Sequence, residues 1–122
     1  MKSYLDLEIY KISFDLFFKA HNFSMKLPKY ELYELGSQLR RSADSVNSNI
    51  VEGYGRRRYK NDFIKFLVYS HSSNLETINH LKKLEILYPD LDGSTDGLSK
   101  EYDLLGIKIA NFILYVEKNW KN

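Results

Sequence analysis

The chain has no cysteine, which excludes a disulfide framework, a thiolate nucleophile and any cysteine-based metal site. Proline occurs only at Pro28 and Pro89, outside the long periodic stretches, so nothing of that kind interrupts a helix. No run approaches the ~18 apolar residues of a membrane span, and Met1–Asp6 carries no long apolar region before an acid. A soluble cytoplasmic protein is therefore expected. Charge of one sign is also lacking: the formal net charge is +2, which argues neither for nor against a polyanionic partner. His21, His71 and His80 are the only histidines, and none has a glutamate three residues earlier, so the paired Glu-x-x-His ligands of carboxylate-bridged di-metal bundles are missing. Gly53-Tyr54-Gly55 follows a helical stretch and lacks the Gly-Lys-Ser/Thr ending of a phosphate loop. No nucleophile with an orienting base stands out, and the expectation is a protein without catalytic activity, metal or cofactor.

One loop resembles a calcium site only at first count. From Asp90, oxygen side chains fall at positions one, three and five with Glu101 at twelve, but Thr95 occupies the sixth position, where the turn requires glycine. Residues 89–97 are expected to form a solvated turn before the next helix.

What is present is helical periodicity. The 122 residues make one domain, long enough for a core without staples. Leu32, Leu35, Leu39, Ala43, Val46 and Ile50 recur at three- and four-residue steps and line one helix face, which Gly53 and Gly55 are expected to end. A first helix carries Leu5, Ile9, Ile12, Leu16, Ala20 and Phe23 on one side. A third carries Phe63, Phe66, Leu67, Ser70, Asn74, Ile78, Leu81, Leu84 and Tyr88, with Asn61 as its N-cap. A fourth packs through Tyr102, Leu105, Ile109, Phe112 and Val116. The spacing predicts helices near 6–24, 29–53, 61–88 and 99–118, joined by short links at 25–28 and 54–60. Such links favour an all-α, antiparallel up-down-up-down four-helix bundle.

Two further stripes lie outside that core. Leu7, Tyr10, Phe14, Phe17 and Phe18 fall on the other side of the first helix, and Leu104, Ile107 and Leu114 do so on the fourth. Apolar surface of that extent is rare on a monomer and predicts a homo-oligomer interface.

Polar residues near the core faces form a second pattern. Asn49 lies beside the apolar stripe and Glu52 in the last turn, where the helix dipole disfavours a carboxylate unless Arg56 or Arg41 offsets it. They read better as a structural polar latch than as a chemical site, with Ser45 and Asn49 meeting Ser70 and Asn74 of the third helix in one buried layer. Glu76 and His80 share a face and read as a surface or interface pair.

All five arginines fall between Gln38 and Arg58. Arg56, Arg57, Arg58, Lys60 and Lys65 crowd the second link, Arg40 and Arg41 lie on the preceding helix, and Tyr54 and Tyr59 interleave with them. Arginine forks bind phosphate oxygens and a neighbouring tyrosine stacks on an unpaired base, so this cluster is a candidate nucleic-acid site. Pairing with Glu34, Asp44, Glu52 and Asp62 would instead make it an ordinary solvated face, and the residues alone leave both readings open.

The run from Gln38-Leu39-Arg40-Arg41 through Ser45-Val46 to Asn49-Ile50-Val51-Glu52-Gly53 resembles the signature of the 23S rRNA intervening-sequence proteins. The similarity extends upstream to Pro28-Lys29-Tyr30-Glu31 and downstream through Phe63–Leu67, Ser73, Glu76 and Leu81. Similar proteins are encoded within intervening sequences of bacterial large-subunit rRNA genes. Their relatives, the accessory variability determinants of diversity-generating retroelements, look like pentameric barrels that bind nucleic acid and a reverse transcriptase. The resemblance thus implies a four-helix bundle, a ring-shaped homo-oligomer with a pentamer preferred, and RNA or DNA as partner. The alternative it leaves is a structural or protein-interaction ring with no nucleic-acid role.

Overall fold

The computed structural model describes residues 3–91 and 94–121, and among these it is all helical, with no strand. The helices are α1 (Glu8–Ser24), α2 (Leu35–Gly55), α3 (Lys60–Leu87) and α4 (Ser94–Asn119). Each helix packs on the next in sequence, and α1 also packs on α4, so the four enclose one core. Its fully buried members include Leu16, Leu39, Ile50, Phe63, Leu67, Leu81, Tyr102, Leu105 and Ile109, the residues that the helical spacing selects. Burial, helped by the charge of Glu101, pushes the Tyr102 hydroxyl well above the usual tyrosine range.

A single 3-10 turn, Tyr4–Asp6, leads into α1. Ser3 caps it in both directions, its hydroxyl accepting from the Leu5 N–H and its own N–H donating to Asp6, each at 3.1 Å. Leu7 then takes an extended backbone, φ −71° and ψ 129°. That break in register corrects two expectations. Leu7, assigned above to the outward stripe, is only 2% exposed, whereas Leu5, assigned to the core face, is exposed.

The second helix is not continuous from residue 29. Lys29–Leu32 form a 3-10 turn, and α2 begins only at Leu35. Glu31 explains the break: its carboxylate is buried and accepts from the Gly36 N–H at 3.2 Å and from the Tyr88 hydroxyl at 2.6 Å. It therefore satisfies an orphan donor of the first turn of α2 that Glu34, the N-cap residue, leaves unbonded. Tyr30 joins through its hydroxyl to that of Tyr88, and the bonds to Glu31 and Tyr30 hold the Tyr88 phenol well above its ordinary pKa. The turn sits so close to α2 that a Cβ at Gly36 would lie 2.4 Å from the Glu31 carbonyl oxygen, a backbone atom. Gly36→Ala should therefore cost about 1–2 kcal/mol net, overpacking outweighing the gain in helix propensity. Urea unfolding would check this, and an unchanged midpoint would contradict it.

Gly53 does not stop α2, as was expected of it, but lies inside the helix; Gly55 is the last residue of α2, so the helix ends there. Gly53 is buried against α3, and a Cβ there would meet Phe66 Cβ at 3.1 Å and the Phe63 carbonyl oxygen at 3.3 Å. Its smallness serves close helix contact rather than termination. Tyr59, not Asn61, precedes α3, and α3 starts without a side-chain cap. The fourth helix starts at Ser94, earlier than the 99 expected, and the calcium-loop count runs through 92 and 93, which lie outside the described residues.

A buried polar layer is present with a different membership. Ser70 Oγ donates to the Val46 carbonyl at 2.6 Å, Thr77 Oγ1 to Ser42 Oγ at 2.8 Å, and Asn74 Nδ2 to the Tyr102 carbonyl of α4 at 2.8 Å. No hydrogen bond joins Ser45 or Asn49 to Ser70 or Asn74: Asn49 is half-buried and its amide donates to the Ser45 carbonyl within α2. Glu52 lies outside the layer as well, on the surface, 2.8 Å from Arg56.

Candidate nucleic-acid interface

Arg56–Tyr59 make the connection between α2 and α3, held by successive backbone bonds from Arg56 N to the Glu52 carbonyl, Arg57 N to the Tyr54 carbonyl and Tyr59 N to the Arg56 carbonyl. A link this tight presents three consecutive arginines at one corner of the molecule. All three are exposed, and each guanidinium lies over an aromatic ring: Arg56 over Phe66 at 4.7 Å, Arg57 over Tyr54 at 4.0 Å and Arg58 over Tyr59 at 5.9 Å. A guanidinium seated by its face on a ring keeps donors at its edge for planar oxygen acceptors.

Local charge is only partly compensated. Arg56 pairs with Glu52 at 2.8 Å and approaches Asp62 at 3.9 Å, so internal pairing is realised for this arginine. Arg57 donates to the Tyr54 carbonyl at 2.9 Å and has no carboxylate within 4.0 Å among the described residues. Lys65, exposed on the second turn of α3, lies 5.8 Å from the Phe66 ring and 6.0 Å from the Tyr69 ring.

The cluster is smaller than the sequence implied at four points. Arg40 turns inward, donating to Ser24 Oγ at 3.0 Å and to the Leu32 carbonyl at 2.7 Å, and so ties the end of α1 and the 3-10 turn to α2. Arg41 is exposed but stands fifteen residues before Arg56, ~22 Å along α2. Tyr54 is 7% exposed, its ring edge-on to Tyr4 and Phe63, and is closed to any base. Lys60 is half-buried, its ammonium bound to the Glu117 carbonyl at 2.6 Å.

Three residues join the site that the sequence did not assign to it, Phe66 having been placed on the core face of α3. Phe66 and Tyr69 stand edge to face, 5.4 Å apart, beside Lys65 and Arg56. Their three-residue spacing after the link was a usable signal. Trp120, whose indole N–H donates to the Arg57 carbonyl at 2.9 Å and whose ring lies 5.2 Å from that of Phe63, carried no signal, because it meets the link across 63 positions of sequence.

An all-helical protein of four helices with a cationic, aromatic-backed link between the second and third is thus the class that fold and site define. The family model of the 23S rRNA-intervening sequence protein matches residues 5–104, and the chain belongs to that family. No curated protein matches the chain. The matched stretch contains the whole link, whereas Glu117 and Trp120, which brace it, lie beyond it. No helix among the described residues is long and apolar enough to cross a membrane.

Proposed function

We propose that the chain is a non-catalytic, cytoplasmic, phosphate-directed binder of RNA or DNA, built as an antiparallel up-down-up-down bundle and assembled into a ring, with a pentamer preferred. The carrying observation is the triplet Arg56, Arg57 and Arg58, exposed and each backed by an aromatic ring. Preorganised forks lose less side-chain freedom on meeting a phosphate than free ones. The short α2–α3 link and the packing of successive helices support antiparallel neighbours. The ring rests on the resemblance and on the apolar rows of α1 and α4. Repetition around it multiplies phosphate contacts, so that a modest +2 per chain suffices.

A salt-series anisotropy assay with structured RNA, single-stranded RNA and duplex DNA tests the reading. Binding should fall linearly in log–log form with salt. Changing Arg56, Arg57 and Arg58 together to alanine should lower the slope by about 2–3 and the affinity at least ~10-fold. Failure of the wild type to bind at low salt would leave a scaffold or protein-interaction ring without a nucleic-acid role. Unchanged binding by the triple variant would move the site elsewhere.

A further inference from the structure

We infer that the ligand of this corner is a single strand of nucleic acid whose bases stack on Tyr59 and Tyr69, rather than a duplex. The inference rests on the reading above and narrows its substrate class. Along α3 the corner continues as a row of aromatic faces and cations: Tyr59 with Arg58, Phe66 with Arg56 and Lys65, and Tyr69 with Lys65. Tyr59 is 58% exposed and Tyr69 45% exposed, whereas Phe66, in edge-to-face contact with Tyr69, is half-buried.

This composition does not suit a duplex. A duplex hides its base faces in its own stack and offers a protein only phosphates and groove edges, for which tyrosine rings on a helix surface give nothing. A single strand offers both a charged backbone and free faces. From Tyr59 to Tyr69 the helix rises ~15 Å, the length of about four stacked nucleotides at ~3.4 Å each. Lys65, lying between the two tyrosines in sequence, is placed for the phosphates that connect their bases. The row reads no base edge, so tolerance of sequence is expected.

The test uses the whole protein and a fluorescein-labelled mixed-sequence RNA strand, the DNA strand of the same sequence, and each annealed to its complement. Both single strands should bind at least ~10-fold more tightly than either duplex at the same salt. Tyr69→Ala should weaken single-strand binding about 5–10-fold and leave duplex binding within twofold, whereas Tyr59→Ala, which also removes the ring behind Arg58, should weaken both, the single strand about 5–10-fold and the duplex less. Tyr69→Phe, which keeps the ring face, should restore most of the loss. Tyr69→Trp should be quenched on adding a single strand and not on adding a duplex, a signal that a purely structural role would not produce. Duplex binding as tight as single-strand binding, with the alanine variants unchanged, would overturn the inference and leave phosphate binding by the arginines standing. Absence of binding to every probe would remove the nucleic-acid reading itself, and this inference with it.

Discussion

Phe63→Ala is expected to lower the free energy of unfolding by about 3–5 kcal/mol, a large share of the ~5–15 kcal/mol available to a domain of this size. Phe63 is fully buried, and its ring meets Tyr54 of α2 at 6.3 Å, Phe112 of α4 at 5.9 Å and Trp120 at 5.2 Å, all edge-on. Removing it deletes the central ring of that cluster and leaves a cavity among three elements. Close packing around Gly53 limits collapse into that space, because α3 already lies too near α2 there to leave easy room for a Cβ. The same cavity lies under the arginine link, so Trp120 would lose the ring against which it holds the Arg57 carbonyl. Urea unfolding measures the effect, with the exposed Tyr69→Ala as control, expected within ~1 kcal/mol of wild type. A loss below ~1.5 kcal/mol for Phe63→Ala would mean that this end of the core does not hold the link.

The elements most legible in the sequence are those whose signal is local and repeated. Leu39, Ala43, Val46 and Ile50 form an unbroken stripe, and the structure buries all four completely. The same stripe extended one more step reaches Tyr54, so its burial was readable had the glycines not been taken as a stop. What could not be read depends on partners far along the chain. The start of α2 is set by Glu31, whose inward turn answers Tyr88, 57 residues away, and no nearby residue announces it. Arg40 and Arg41 are adjacent and identical in chemistry, yet ~100° of helix rotation sends one to Ser24 and the Leu32 carbonyl and leaves the other in solvent. The polar layer illustrates the same limit. That Ser70 and Asn74 lie on the core face follows from spacing alone, but their acceptors, Val46 and Tyr102 carbonyls, are fixed by how the helices are rotated and how closely they approach.

If copies assemble as proposed, Phe14→Glu combined with Phe18→Glu should yield a folded monomer, weakening each contact between copies at least ~1000-fold. Tyr10, Phe14 and Phe18 form a continuous aromatic row on α1, with successive rings 5.6 and 5.1 Å apart, and Phe14 and Phe18 remain 47% and 48% exposed. Phe17, on the same stripe of the sequence, is half-buried against the core, so a charge there would unfold the protomer and confuse the outcome. Reburying what remains of two phenyl rings contributes ~2–3 kcal/mol, and an unpaired carboxylate in a dry contact costs several more. A total above ~4 kcal/mol corresponds to that thousandfold. Light scattering at micromolar concentration reads the mass, and circular dichroism shows whether the helices persist. A ring adds a sharper requirement, because cyclic closure needs two different faces on each copy, one meeting the other. On the proposed ring the second face is the row Leu104, Ile107 and Leu114 of α4, all three exposed in the protomer. A variant with Leu104→Glu and Ile107→Glu should therefore also be monomeric, yet mixing it with the Phe14→Glu, Phe18→Glu variant should yield a dimer and nothing larger, since one intact α1 face and one intact α4 face then remain between them. A monomeric wild type would remove the assembly, and a mixture that stays monomeric would show that the two rows do not face each other.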